Sequence, residues 1–203
     1  MKTSSKSTST SSATMNNKYL TLLTIFIVTI FFSISAQAID ANFSLHQGDE
    51  SDTQGVSLMI SDKFSKSGDL YWNLGYSYLD EVKVEWNNSD LFFKVDTVDA
   101  IISYRYKPKS YNQFFKLVTI ETQIGATIAL TENKFVWPEL EQEKYFSESN
   151  DINLMLGVNV YYDTSKNTAI NLGFKYQPSF SEFDDISTIY LGFTYKFGAQ
   201  YGY

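Results

Sequence analysis

From residue 41 onward, apolar and polar side chains alternate with a period of two in eight segments separated by polar, turn-rich stretches. The last segment is the clearest. Ile189, Leu191, Phe193, Tyr195 and Phe197 fall on one face, and Thr188, Tyr190, Gly192, Thr194 and Lys196 on the other. The same pattern predicts strands over 41–45, 56–60, 70–78, 98–106, 118–130, 152–162, 169–176 and 188–197. No stretch after residue 38 carries a sustained helical period or an apolar run long enough for a membrane helix.

The contents of the two faces decide which one meets solvent. One face is continuous in Leu, Ile, Val, Tyr and Phe. The other holds Gly75, Gly125, Gly157, Gly173 and Gly192 together with Asp99, Arg105, Glu121, Lys175 and Lys196. Small residues and charges that can pair suit the narrow inside of an eight-stranded barrel. The continuous apolar face then meets lipid, with Trp72, Tyr78, Tyr104, Tyr106, Tyr162, Tyr176 and Tyr195 near segment ends as interfacial aromatics. A closed barrel also pairs every backbone group, which a bilayer requires. The expected fold is therefore all-β: a closed eight-stranded antiparallel up-and-down transmembrane β-barrel.

The N-terminal part reads differently. Residues 1–14 form a Ser/Thr/Lys tract, and Met15 begins a short basic region carrying Lys18. A nearly apolar run over 19–35 then ends in Ala36-Gln37-Ala38, the small-residue pattern of a signal-peptidase site, with Ala36 and Ala38 as the small positions. The expected organisation is an N-terminal extension and cleavable signal peptide over 1–38 and a barrel domain over 39–203. Cleavage removes Lys2, Lys6 and Lys18 and no acid, leaving 13 basic and 23 acidic residues, a net charge of −10.

The connections give an orientation. If the mature chain starts in the periplasm, the odd connections are outer loops. These (47–54, 79–93, 131–150 and 177–185) contain 15 acids and three Lys, whereas the even ones carry a slight excess of Lys. Both termini are thus expected in the periplasm of a Gram-negative cell. The full chain of 203 residues has a net charge of −7, so no basic face exists for nucleic acid, and the absence of Cys excludes disulfides, thiolate metal sites and a Cys nucleophile.

On the strength of IYLGFTYKFGAQYGY at 189–203, the AQA site and the eight alternating segments, the chain resembles the small eight-stranded outer-membrane barrels of the OmpA/OmpX/Ail-like group. The resemblance implies that Phe193, Tyr195, Phe197, Tyr201 and Tyr203 form a C-terminal signal read by the barrel-assembly machinery. GFTYKF ends at Phe197, so the signal ends either there or at Tyr203. The implied partners are outer-membrane lipid and lipopolysaccharide; the loop aromatics described below add the expectation of an extracellular protein. The fold itself hosts adhesins, anchors, pores and lipid enzymes.

Three constellations are candidate sites. Asp99, Arg105, Glu121, Lys175 and Lys196 are expected to form a lumen charge network, either a plug or a gate. Phe135, Trp137 and Phe146 in the third loop, with Phe180 and Phe183 in the fourth, are expected to offer an aromatic binding surface among acids. His46 is the chain's one imidazole and lies near Ser44, Ser57 and an acidic loop, the materials of a lipid A-modifying enzyme at the outer rim. A non-enzymatic role without cofactor or metal is the expectation, with that enzyme and a narrow pore as alternatives.

Overall fold

The computed structural model describes residues 39–48, 53–65, 67–86, 89–137, 142–178 and 185–197. The signal-peptide expectation, with Ala36 and Ala38, lies outside them. Among the described residues, ten strands and one short helix follow in order: β1 (Asp40–Gly48), β2 (Gln54–Lys63), β3 (Leu70–Trp86), β4 (Ser89–Tyr106), α1 (Gln113–Lys116), β5 (Val118–Ala129), β6 (Asn133–Trp137), β7 (Gln142–Ser147), β8 (Ile152–Asp163), β9 (Thr168–Gln177) and β10 (Ile186–Lys196).

Eight of the strands close on themselves, each antiparallel to both neighbours, and β10 returns to β1 with Phe43 opposite Phe193 and Asp40 opposite Lys196. β6 and β7 form a separate hairpin inserted between β5 and β8. The end carrying Asp40 and Lys196 is termed the base, and the end carrying the β5–β8 insertion the mouth.

The period-two pattern sets the two surfaces. Phe43, Leu58, Leu74, Ile102, Ile124, Leu154, Leu172 and Leu191 all point outward and are exposed, whereas Ser44, Ser57, Asn73, Asp99, Glu121, Asn159, Asn171 and Thr194 are buried inside. The polar face is therefore the lumen, and the apolar belt around the outside is the surface a bilayer's hydrocarbon would cover. The arrangement is that of a transmembrane barrel, with each of its eight strands paired on both edges.

The mouth differs from its sequence-based expectation. Residues 79–93 were expected as an outer loop. Instead β3 and β4 run on as a hairpin, with Val82 opposite Phe93 and Trp86 opposite Ser89. The reason is a bulge: the register shifts between Leu79 and Val82, and Glu81 sits there at φ 56°. An extra residue in the left-handed region breaks the alternation that marks a strand in sequence while leaving the strand intact in space. The third connection is likewise built rather than irregular, since β6 and β7 occupy most of it. At the base, the β4–β5 connection contains α1, capped by the Asn112 side chain accepting from the Phe114 amide.

The barrel lumen and mouth as the candidate functional site

Each inward position on a strand lies level with inward positions on its neighbours, so the lumen is stacked in layers. Nearest the base, the Arg105 guanidinium donates to Asp40 at 2.6 Å, to Glu121 at 2.9 Å and to Ser61 at 3.1 Å. It lies between two aromatic rings, 4.0 Å from the centroid of Tyr71 and 4.9 Å from that of Tyr161. Glu121 is fully buried and also accepts from Ser103, Gln123 and Tyr161. Arginine's planar fork permits this combination of stacking and multipoint donation, which a lysine ammonium could not reproduce.

Toward the mouth a second buried pair joins Lys175 to Asp99 at 2.7 Å. Asp99 is completely buried and accepts in addition from Ser77, Thr97 and Thr127. Four donors around one carboxylate are what a desolvated charge needs to persist. Lys196 stands apart from both layers. It pairs with Asp163 at 2.5 Å at the base rim, where Lys107 approaches the same carboxylate at 3.3 Å.

The structure thus brings Arg105 to Glu121 and Asp99 to Lys175 in separate layers, and places Lys196 outside them. It adds participants that the sequence reading did not select: Asp40, Tyr71, Tyr161, Ser77 and Thr127. All lie on the polar face of the alternation, and this was the one available signal. Asp40 follows closely on Ala38 and continues the β1 pattern toward the base.

His46 does not lie at the rim. It is 7% exposed and faces the lumen, with Nδ1 3.1 Å from Thr188 Oγ1 and Nε2 2.8 Å from Ser57 Oγ. Its ring packs on Tyr190 with centroids 4.9 Å apart. The correction has a simple cause: residue 46 has the parity of Asn42 and Ser44, whose side chains line the lumen with it, whereas rim position alone had suggested access to lipid. A serine hydroxyl within reach of an imidazole is the beginning of a nucleophilic dyad. Yet the enclosed space around it, lined also by Ser44, Asp99, Arg105, Tyr161 and Lys175, measures about 20 Å³. That is room for about one water molecule, and neither an acyl chain nor a hydrated ion column fits.

The mouth is closed by hydrocarbon. Leu79, Val82, Val95, Ala129, Phe146 and Ile186 form a buried cluster, with Val84, Leu91, Phe93 and Phe135 packed against it. Phe146 is 2% exposed, and its ring lies 5.1 Å from that of Phe93. The expected aromatic tip is therefore corrected in part. Phe146, with half-buried Phe135 packed against its cluster, holds the β6–β7 hairpin down on the β3–β4 hairpin, and Phe146 is not offered to a partner. Trp137 lies at the end of β6, and Phe180 and Phe183 lie outside the described residues. Exposed on the hairpin are Val136 and Tyr145, beside Lys134 and Glu143. The Tyr145 hydroxyl and then Lys134 hold the Glu143 carboxyl below the usual carboxylate range.

On the outer wall, Phe193, Tyr195 and Phe197 point outward, with the Tyr195 and Phe197 rings edge-to-face at 4.6 Å. Tyr201 and Tyr203 lie outside the described residues.

No protein-family model and no curated protein matches the chain. Solved structures do resemble it. The attachment invasion locus protein Ail of Yersinia pestis is 19% identical, covering 79% of this chain and 97% of its own, at a TM-score of 0.46. Neisserial surface protein A is 16% identical, covering 79% and 95%, at 0.46. The outer membrane enzyme PagL is 14% identical, covering 77% and 98%, at 0.48. At such identities no residue role or activity passes from these proteins to this chain.

Proposed function

We propose that the chain is an integral outer-membrane protein of the Gram-negative envelope that acts without catalysis, as a structural or surface-interaction protein working through its mouth. The observation that carries this reading is the contrast between interior and exterior. The lumen is filled from the Arg105 layer to the Phe146 cluster, leaving a cavity of about 20 Å³, while the outer wall is a continuous apolar belt. A filled barrel has little to transport and no room for a substrate, so recognition falls to the segments standing above it.

In this reading residues 1–38 are the export signal, cleaved after Ala38, and both termini face the periplasm. Phe193, Tyr195 and Phe197 guide assembly by the barrel-assembly machinery, and lipid and lipopolysaccharide surround the belt. The β3–β4 and β6–β7 hairpins present an acidic surface to an extracellular protein. The enzyme alternative keeps one specific support, the 2.8 Å approach of His46 to Ser57.

Two experiments test the proposal. Cells expressing the protein should bind an extracellular-matrix or host-surface protein, and deletion of 133–147 should abolish that binding while leaving the barrel assembled. Undiminished binding after the deletion refutes the role of the hairpin. Lipid A from cells expressing the protein should be identical with and without His46→Ala. A change in lipid A acylation that depends on His46 establishes the enzyme instead.

A further inference from the structure

The base carries a surface that the proposed function leaves unused. The connection from β4 to β5, KPKSYNQFFKL over 107–117, contains three Lys and no acid. It also exposes Tyr111 fully, and Phe114, Phe115 and Leu117 by a third or more. Solvent-exposed aromatics are costly on a turn that only needs to reverse the chain, which polar residues would do at less cost.

The aromatics are continuous with the belt. The Phe114 ring packs on Tyr162, the last outward residue of β8, with centroids 5.4 Å apart, and on Phe115 at 5.5 Å. Tyr106 and Ile120, outward residues on the two strands this connection joins, are exposed beside it. Lys107 is engaged by Asp163, but Lys109 and Lys116 form no ion pair with any described residue.

We infer that residues 107–117 are an interfacial anchor that lies in the leaflet nearest the base, with Tyr111, Phe114 and Phe115 at the acyl–headgroup boundary and Lys109 and Lys116 on the phosphates of anionic phospholipids. This rests on the transmembrane reading of the barrel. A short amphipathic segment with aromatics on one side and lysines on the other is stable at that depth. Each Lys close to an anionic surface contributes about 1 kcal/mol, equivalent to about fivefold in association. The helix supplies the geometry. Asn112 caps the turn in which Phe114 reaches Tyr162 on the barrel wall, with Phe115 edge-on against Phe114.

The chain has no Cys, so a single introduced thiol can be labelled without background. The protein purified from outer membranes is reconstituted in phosphatidylcholine vesicles, with or without phosphatidylglycerol, carrying a nitroxide at Gln113→Cys or at Leu172→Cys. The label at 172, on the outward belt, should collide with oxygen and be shielded from a water-soluble nickel chelate. The label at 113 should read an intermediate depth, and Phe114→Ser with Phe115→Ser should move it into water. Preference for spin-labelled phosphatidylglycerol over phosphatidylcholine should fall about fivefold for each of Lys109→Gln and Lys116→Gln. A shielded label at 172 with a fully aqueous one at 113 overturns the anchor and leaves the barrel standing. A change in preference below about twofold for both Lys variants overturns the recognition of anionic lipid. An aqueous label at 172 overturns the transmembrane reading, and the anchor with it.

Discussion

Lys175→Met tests the lumen most sharply, because it removes a charge and almost nothing else. Methionine follows the course of the lysine stem and fills similar space, so little cavity opens. What remains is Asp99, completely buried and stripped of the ammonium 2.7 Å away. Ser77 and Thr127 still donate at 2.7 and 2.8 Å, but hydroxyls do not neutralise a carboxylate. Removing one partner of a buried pair costs about 3–5 kcal/mol, which at 3 kcal/mol already shifts the folding equilibrium more than about a hundredfold. Adding Asp99→Asn removes the orphaned charge and keeps an oxygen that Thr127 can donate to. The double variant should therefore recover most of the loss and lie within about 1–2 kcal/mol of the parent. Equilibrium urea unfolding in phospholipid vesicles, followed by the ratio of folded to unfolded bands on an unboiled gel, measures all four corners of this cycle. A single variant within about 0.5 kcal/mol of the parent, or a double variant no better than the single, refutes the buried pair.

Arg105→Lys should cost about 2 kcal/mol in the same assay, because one ammonium cannot contact Asp40, Glu121 and Ser61 together while stacked between two tyrosines. Phe146→Ser should free the β6–β7 hairpin and speed trypsin cleavage at Lys134 and Lys144, with the eight-stranded barrel still resistant, since that hairpin shares no ladder with it. Gly125→Ala should destabilise by about 1–3 kcal/mol or more, because its Cβ would lie 2.3 Å from the carbonyl oxygen of Ala100. Gly68→Ala, with its nearest neighbour at 3.7 Å, should unfold at the parental urea concentration and serves as the control.

What the sequence reveals about this fold follows from where local pattern decides the outcome. In β10 the alternation from Ile189 through Tyr195 is unbroken, because each residue there faces either the outer wall or the lumen. The polar face could be assigned to the inside because Asp99, Arg105, Glu121 and Lys175 share it with glycines, and only a closed interior makes that mixture sensible. The mouth is less legible for a physical reason. Glu81 adds one residue at the bulge and inverts the pattern downstream, so a strand reads as a loop. Phe146 looks like an exposed loop aromatic because the surface that buries it, Val82 through Phe93, lies more than forty residues away. The same limit applies to Lys196, whose partner Asp163 belongs to a strand two positions round the barrel. For His46 the two sequence signals disagree: its parity with Asn42 and Ser44 points into the lumen, while its nearness to an acidic loop points to the rim, and the structure follows parity.

The central claim is a closed, lipid-embedded barrel, and the most direct measurement compares boiled with unboiled protein from isolated outer membranes on an SDS gel. The account predicts that the protein fractionates with the outer membrane and that the unboiled sample migrates faster, because a closed ladder between β1 and β10 resists detergent until heated. A soluble protein whose mobility is the same before and after boiling would contradict it.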